Sequence, residues 1–98
     1  MEVRLEDGKL ESLETDPSLD GGYAPGIGSL FRRRMQLIRA AKDERDFYAM
    51  KSLHFEKLKG NMAGKYSMRL NDKWRLILKF ERQDHGKVVV IVAIDDYH

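Results

Sequence analysis

Residues 66–95 read YSMRLNDKWRLILKFERQDHGKVVVIVAID, and this stretch decides the fold. From Tyr66 to Phe80 apolar side chains largely alternate with polar or charged ones, a period of two that is typical of half-buried strands. Turn-forming residues at 71–73 and 84–86 divide the stretch into three segments. The continuous apolar run at 88–94 is typical of an interior strand covered on both faces. We therefore predict a three-stranded antiparallel meander.

The first hairpin of this meander has two possible registers. A loop of three residues, 71–73, places Leu70 opposite Trp74 and keeps the apolar side chains on one face. It also places Arg69 opposite Arg75, so that both guanidiniums share the other face. A loop of two residues would put Arg69 opposite Trp74 and mix charged with apolar side chains. We therefore expect the three-residue loop.

The N-terminal half adds a strand and helical segments. Apolar side chains recur there at helical spacing, and Asp-Pro, Gly-Gly and Pro-Gly pairs mark a loop between the first two helices. We expect a strand at Val3–Leu5, helices at Lys9–Thr15, Gly26–Ala41 and Asp43–Met50, and a loop at Ser52–Gly64. Arg34 falls within the apolar stripe of the second helix, so either its stem packs along the core or its guanidinium meets a partner.

These elements predict an α+β domain that comprises residues 1–98. A small twisted antiparallel sheet, formed by the meander and the N-terminal strand, would pack against two or three helices.

The composition excludes several classes of protein. The 98 residues include no cysteine, which excludes a disulfide scaffold, a cysteine zinc site and a thiol nucleophile. The longest apolar run, residues 88–94, is far shorter than the roughly 20 residues that span a membrane. The acidic first residues differ from a signal peptide. We expect a soluble, cytoplasmic protein that makes no membrane contact.

The charges are strongly segregated along the chain, although the formal net charge is only +2. Residues 31–82 hold fifteen basic and six acidic side chains, whereas residues 1–30 hold two basic and seven acidic ones. A basic block of this kind indicates a polyanionic partner such as nucleic acid. The alternative is that the basic residues only solvate helix faces and strand edges.

Two segments in the second half of the chain carry a family resemblance. Residues 52–61 read SLHFEKLKGN, and residues 64–76 read GKYSMRLNDKWRL. With the terminal Asp96-Tyr97-His98, their pattern L-K-G…Y-S-x-R-x-N-x-x-W-R resembles the HigB-type toxins of the RelE/ParE superfamily of toxin–antitoxin systems. In better-known members a histidine precedes Leu-Lys-Gly almost directly, whereas here three residues separate His54 from that triplet.

The resemblance implies a RelE-like fold and a ribosome-dependent mRNA endonuclease that inhibits translation. It also implies three partners: the ribosome, mRNA and a HigA-like helix-turn-helix antitoxin that neutralises the toxin.

Cleavage of this kind needs no metal or other cofactor, because RNA supplies its own nucleophile. A general base removes the proton from a 2′-OH, and that oxygen attacks the adjacent phosphate while a general acid protonates the leaving 5′ oxygen. Cations stabilise the charge that develops on the phosphate. The candidate catalytic residues are His98, Tyr97, Asp96, Arg75, Arg69, Lys59 and His54.

The three terminal candidates differ in what they can do. Histidine titrates near neutral pH without special perturbation, so His98 is a candidate acid or base. Asp96 lies two residues earlier and would point the same way in an extended tail, where it could orient His98. Tyr97 would point the other way and could stack on a base or hydrogen-bond a phosphate.

The remaining candidates supply positive charge and a second imidazole. Arg69 and Arg75 can hold a phosphate between them, and Lys59 can add a third positive charge. His54 has two interpretations, an active-site role or packing beside Phe55. Further basic residues are candidates for contact with RNA or the ribosome, with a solvated surface as the alternative. These are Arg32, Arg33, Lys57, Lys65 and Lys73.

Two other functions remain open at this point. Members of the superfamily that resemble ParE bind a protein target such as DNA gyrase and generally lack an acid–base cluster at the C-terminus. The other possibility is an inert domain of this fold that only binds an antitoxin.

Overall fold

The computed structural model describes residues 1–96, so the predictions for Tyr97 and His98 lie outside the described residues. A strand comes first, three helices follow, and four more strands complete the chain. The strands are β1 (Glu2–Leu5), β2 (Glu56–Lys57), β3 (Tyr66–Arg69), β4 (Trp74–Gln83) and β5 (Gly86–Asp96). The helices are α1 (Gly8–Thr15), α2 (Ile27–Ala40) and α3 (Arg45–Ala49), and two 3-10 turns lie at Lys51–Leu53 and Gly60–Met62.

The predicted β3–β4–β5 meander and its three-residue turn are confirmed. Arg69 pairs with Arg75, and the backbone N–H of Leu70 donates to the Trp74 carbonyl at 2.9 Å. Asn71 fixes the turn, because its Oδ1 accepts from the backbone N–H groups of Lys73 at 2.9 Å and Trp74 at 2.7 Å. This side-chain bond to the chain two residues on is why asparagine favours turns.

The expectation of a purely antiparallel sheet is wrong, because β1 runs parallel to β5. The five strands have the order β1-β5-β4-β3-β2, and Val3 of β1 is paired with Val89 of β5. Two parallel neighbours need a crossover connection, which the three helices and the intervening strands provide here. The N-terminal strand therefore lies at the edge beside β5.

The expectation of a plain loop at residues 52–64 is also wrong. This segment contains both 3-10 turns and the short strand β2, in which Glu56 pairs with Ser67 and Lys57 pairs with Tyr66. Glutamate and lysine have low intrinsic strand preference. The strand β2 therefore forms because of its pairing with β3, and not because of its local sequence.

The helices cover one face of the sheet. Buried side chains of the helices form a single apolar cluster with every second residue of the central strands. Its fully buried members include Phe31 and Ile38 from α2, with Leu76, Leu78 and Val89 from the sheet. The strand residues between them therefore point to the opposite face, which we call the open face.

The open face combines buried valines with a charged cover. Val88 and Val90 are almost fully buried although they lie outside the helix-covered cluster, which confirms that the apolar run of β5 is shielded on both sides. Ion pairs cross this face: Arg4 contacts Glu81 at 2.6 Å, and Lys79 lies 3.8 Å from the same glutamate. None of the helices in residues 1–96 is both long enough and apolar enough to cross a membrane.

Arg34 occupies the apolar stripe of α2, as expected. Its burial lowers the pKa of the guanidinium from its ordinary value, and its Nε atom has no hydrogen-bond partner among the described residues. Packing of the aliphatic stem therefore accounts for its position in the stripe.

Arg32 ties the loop after α1 to helix α2. Its Nη1 atom donates to the backbone carbonyl of Leu13 at 2.9 Å, and further bonds reach the carbonyls of Asp16, Pro17 and Leu19. These contacts give Arg32 a structural role, while its predicted contact with RNA stays a prediction.

Arg32→Ala should lower the free energy of unfolding by about 1–2 kcal/mol, because it removes charge-assisted bonds to loop carbonyls. Arg33→Ala is the matched control, since the adjacent Arg33 is exposed on α2. Urea unfolding of both variants provides the measurement. Equal stability of the two variants would contradict the structural role of Arg32.

Candidate functional site

The open face carries a cleft at the end where β2, β3 and the β3–β4 turn meet. Its volume is ≈ 290 Å³, and its lining consists of His54, Glu56, Arg69 and Asp72. Arg69 reaches the open face because it alternates with buried Met68 along β3. Glu56 lies on the same face because it pairs with Ser67, two residues before Arg69.

His54 is held in an unusual backbone conformation. Its φ of 46° and ψ of 47° lie in the left-handed region, and it is the one non-glycine residue with positive φ in the described chain. Its N–H donates to the Lys51 carbonyl at 3.1 Å. The neighbours Leu53 and Phe55 are both buried, so they fix the chain on either side and leave the imidazole exposed at the cleft.

Phe55 anchors this segment in an aromatic cluster. Its ring stacks on Tyr66 with a centroid distance of 5.3 Å and an angle of 4° between the planes. It also meets Phe47 and Phe80 edge to face, at 5.3 Å and 6.3 Å. Rigid contacts of this kind hold His54 and Glu56 in place on either side of Phe55.

Arg69 links the cleft residues electrostatically. Its Nη2 atom forms an ion pair with Asp72, and its Nη1 atom lies 3.4 Å from Nε2 of His54. Because a guanidinium only donates, Nε2 of His54 is the acceptor in this contact. The site thus places a donor fork, an imidazole and two carboxylates around one opening.

Arg75 and Asp95 extend the site along the open face. Arg75 lies between Arg69 and Asp95 in the strand register, so that a row of two guanidiniums and one carboxylate crosses the sheet. Directly opposed side chains are close enough to interact. Asp96, in contrast, pairs with Trp74, and strand alternation directs it to the helix-covered face, away from Arg69 and Arg75. The predicted pairing of Asp96 with His98 lies outside the described residues.

The other predicted residues do not line this cleft. Lys59 immediately precedes the second 3-10 turn, where Gly60 adopts a φ of 68° that suits glycine, and it is exposed. Lys57 pairs with Tyr66 and so lies on the other side of β2 from Glu56. Arg33 is exposed on α2, on the helix-covered side of the sheet.

Two further lysines lie near the sheet but also outside the cleft lining. Lys73 sits in the turn with its ammonium 5.7 Å from the centre of the Trp74 ring. Lys65, just before β3, has its carbonyl bonded to the N–H of Leu58 at 2.9 Å.

The sequence analysis missed three carboxylates at or beside the cleft: Glu56, Asp72 and Asp95. Glu56 carries a signal that was available, because it lies two residues after His54 and an extended chain puts such residues on one side. Asp95 is opposite Arg75 only through the long-range register of β4 and β5, which the β-bulge near Ile77 shifts. Within residues 1–96 no three imidazole or carboxylate groups are placed to hold a metal ion.

The comparisons with known proteins agree with this fold. The YoeB/ParE toxin from Agrobacterium tumefaciens matches with a TM-score of 0.65 over 100% of both chains, at 16% identity. The YoeB-YefM complex from Staphylococcus aureus matches with a TM-score of 0.58 over 100% of this chain and 97% of that one, at 18% identity. A sequence search of curated proteins finds no match.

These likenesses show that the chain has the α+β fold of the YoeB toxins. The family model described as the RelE-like toxin of type II toxin-antitoxin system HigB matches residues 6–98. The chain therefore belongs to the HigB-like family of RelE-like toxins from type II toxin–antitoxin systems.

The left-handed conformation of His54 can be tested by stability. Glycine adopts this region without steric cost, whereas alanine does not, so His54→Gly should be about 1 kcal/mol more stable than His54→Ala. The same pair of changes at His85 is the control, because that residue lies outside the positive-φ region. Thermal unfolding of the four variants measures the difference, and equal stability of the two His54 variants would contradict the geometry.

Proposed function

We propose that this toxin is a ribosome-dependent mRNA endonuclease that inhibits translation. The observation that carries the proposal is the cleft, where a guanidinium, an imidazole and a free carboxylate surround one opening. The Glu56 carboxylate makes no hydrogen bond or ion pair with the other described residues, and the residue is exposed. It is therefore available to a substrate.

The reaction we propose uses the 2′-OH of the RNA as the nucleophile. The Glu56 carboxylate, which lines the cleft, accepts the 2′-OH proton, and the oxygen attacks the adjacent phosphorus. The bond from phosphorus to the 5′ oxygen breaks, and a 2′,3′-cyclic phosphate forms. His98, from the sequence analysis, gives its proton to the leaving 5′ oxygen, which departs as a 5′-OH.

The two arginines of the open face would stabilise the phosphate. A guanidinium fork matches two phosphate oxygens, and charge that builds up in the transition state strengthens this contact. Arg69 lines the cleft and Arg75 is its neighbour across the hairpin, so one phosphate at the rim can meet both. Tyr97 and Lys59 remain candidates for base stacking and for a further positive charge.

The ribosome would supply the orientation that a small open cleft lacks. Holding the RNA in place converts an encounter into an intramolecular step, which can lower the barrier by several kcal/mol. The basic block at residues 31–82 supports contact with ribosomal RNA phosphates. Ribosomes and translated mRNA also locate the proposed action in the cytoplasm.

We further propose that a HigA-like helix-turn-helix antitoxin neutralises the protein. The basic block favours a partner whose contacting surface is acidic, since complementary charge speeds and orients association.

The first experiment maps mRNA 5′ ends after brief expression in growing cells, with wild type compared with His98→Ala. We expect cuts within translated frames, and their loss in the variant, because the leaving oxygen would lack its proton donor. Growth arrest without cuts would instead support a ParE-like action on a protein target. Unaffected growth would support an inert module that binds an antitoxin.

Glu56→Gln tests the assignment of the base. The change keeps the size of the side chain but removes its proton-accepting charge, so ribosome-dependent cleavage should slow by about 10²–10⁴-fold. Glu11→Gln is the matched control, because Glu11 is exposed on α1, on the helix-covered side. Cleavage at the wild-type rate in Glu56→Gln would move the base to His54 or His98.

A further inference from the structure

The Arg69–Asp72 ion pair occupies one of the guanidinium nitrogens that a phosphate needs. Nη2 of Arg69 contacts the Asp72 carboxylate across the β3–β4 turn. The two side chains differ in burial: the Arg69 side chain is 34% exposed, whereas that of Asp72 is 94% exposed. The arginine is thus held by the sheet, while the carboxylate reaches it from solvent.

Asp72 does not hold the turn together. The two side-chain bonds that fix the turn come from Asn71, which accepts from Lys73 and Trp74. The Asp72 carboxylate makes its described contact with Arg69 alone. A change at Asp72 can therefore alter the cleft without altering the loop that positions Arg69.

Asp72 and an RNA phosphate are competitors for the same donors. A carboxylate and a phosphate both present two oxygens to a guanidinium, so they bind it in the same geometry. Ion pairs between exposed side chains are weak, because solvent screens them, so a well-placed phosphate can displace Asp72. A poorly placed phosphate gains too little to do so.

We propose that Asp72 is an anionic placeholder on Arg69 that determines which RNA the cleft accepts. Freely diffusing RNA is present at a low concentration, so it competes poorly with the Asp72 carboxylate for Arg69. RNA held beside the cleft by the ribosome has a high effective concentration and displaces it readily. Asp72 thus favours binding of RNA that the ribosome holds beside the cleft over binding of free RNA. The inference rests on the proposed function only for the identity of the substrate.

The test measures binding of a ten-nucleotide 2′-O-methyl RNA, which lacks the 2′-OH and cannot be cut by the proposed reaction. The RNA carries a fluorescent label at its 5′ end, and the anisotropy of the label reports binding. Asp72→Asn should bind about 2- to 5-fold more tightly than wild type at low salt, the range that an exposed ion pair contributes.

Asp84→Asn is the matched control, because Asp84 is an exposed acid in the hairpin turn at the far end of β4. It changes the net charge equally and should leave the affinity unchanged. Asp72→Ser repeats the test without an amide that could bond Arg69. The inference is overturned if neither Asp72 variant binds more tightly, if Asp84→Asn gains as much, or if no form binds the RNA.

An Arg69→Gln background separates competition from general repulsion. If Asp72 acts by occupying Arg69, Asp72→Asn should give no gain in affinity once Arg69 is absent. A gain that persists there would show that the carboxylate repels RNA without competing for the arginine, which overturns the inference. Cleavage of translated mRNA by the wild type is measured separately. Failure of the proposed nuclease function can therefore be distinguished from failure of the inference about Asp72.

Discussion

The chemistry of the open face depends on the three-residue turn between β3 and β4. Asn71 accepts two backbone N–H groups and thereby fixes the length of the loop. Side chains alternate strictly along a strand, so a loop one residue shorter would place Arg69 opposite Trp74 instead of Arg75. Charged groups would then enter the apolar face, and the cleft would lose its cation. One amide side chain thus keeps the core and the site on separate faces.

That register places two positively charged arginines side by side, and a carboxylate lies next to each of them. Arg69 and Arg75 are direct neighbours across the hairpin, where like charges destabilise a sheet. Asp72 pairs with Arg69 at one end of the row, and Asp95 is opposite Arg75 at the other. The two carboxylates differ in kind, because Asp95 is fixed in β5 whereas Asp72 projects from a turn into solvent. In the protein without bound RNA, the charge of Arg69 is therefore balanced by Asp72, a carboxylate that a phosphate can displace.

The sequence predicts those features of the fold that arise from local pattern. Alternation along β3 and β4, turn residues at 71–73 and the apolar run of β5 each identify their element, and the register follows from keeping apolar residues together. The parallel pairing of β1 with β5 and the strand β2 depend on partners far along the chain, and no local pattern encodes them. Asp95 was missed for the same reason, because its place opposite Arg75 depends on the register of β4 and β5. Glu56 and Asp72 were also missed, although both lie close in sequence to the predicted residues His54 and Arg69.

The three residues between His54 and Leu58-Lys59-Gly60 have a physical role in this fold. Phe55 enters the aromatic cluster, and Glu56 and Lys57 form β2 against β3. The segment therefore does not move His54 away from the site, because its ring still lies 3.4 Å from Arg69. Phe55 lies between the left-handed His54 and strand β2, and the pairing of Glu56 with Ser67 places Glu56 on the open face beside the imidazole. His54 and Glu56 therefore line one cleft although the ring between them is buried in the core.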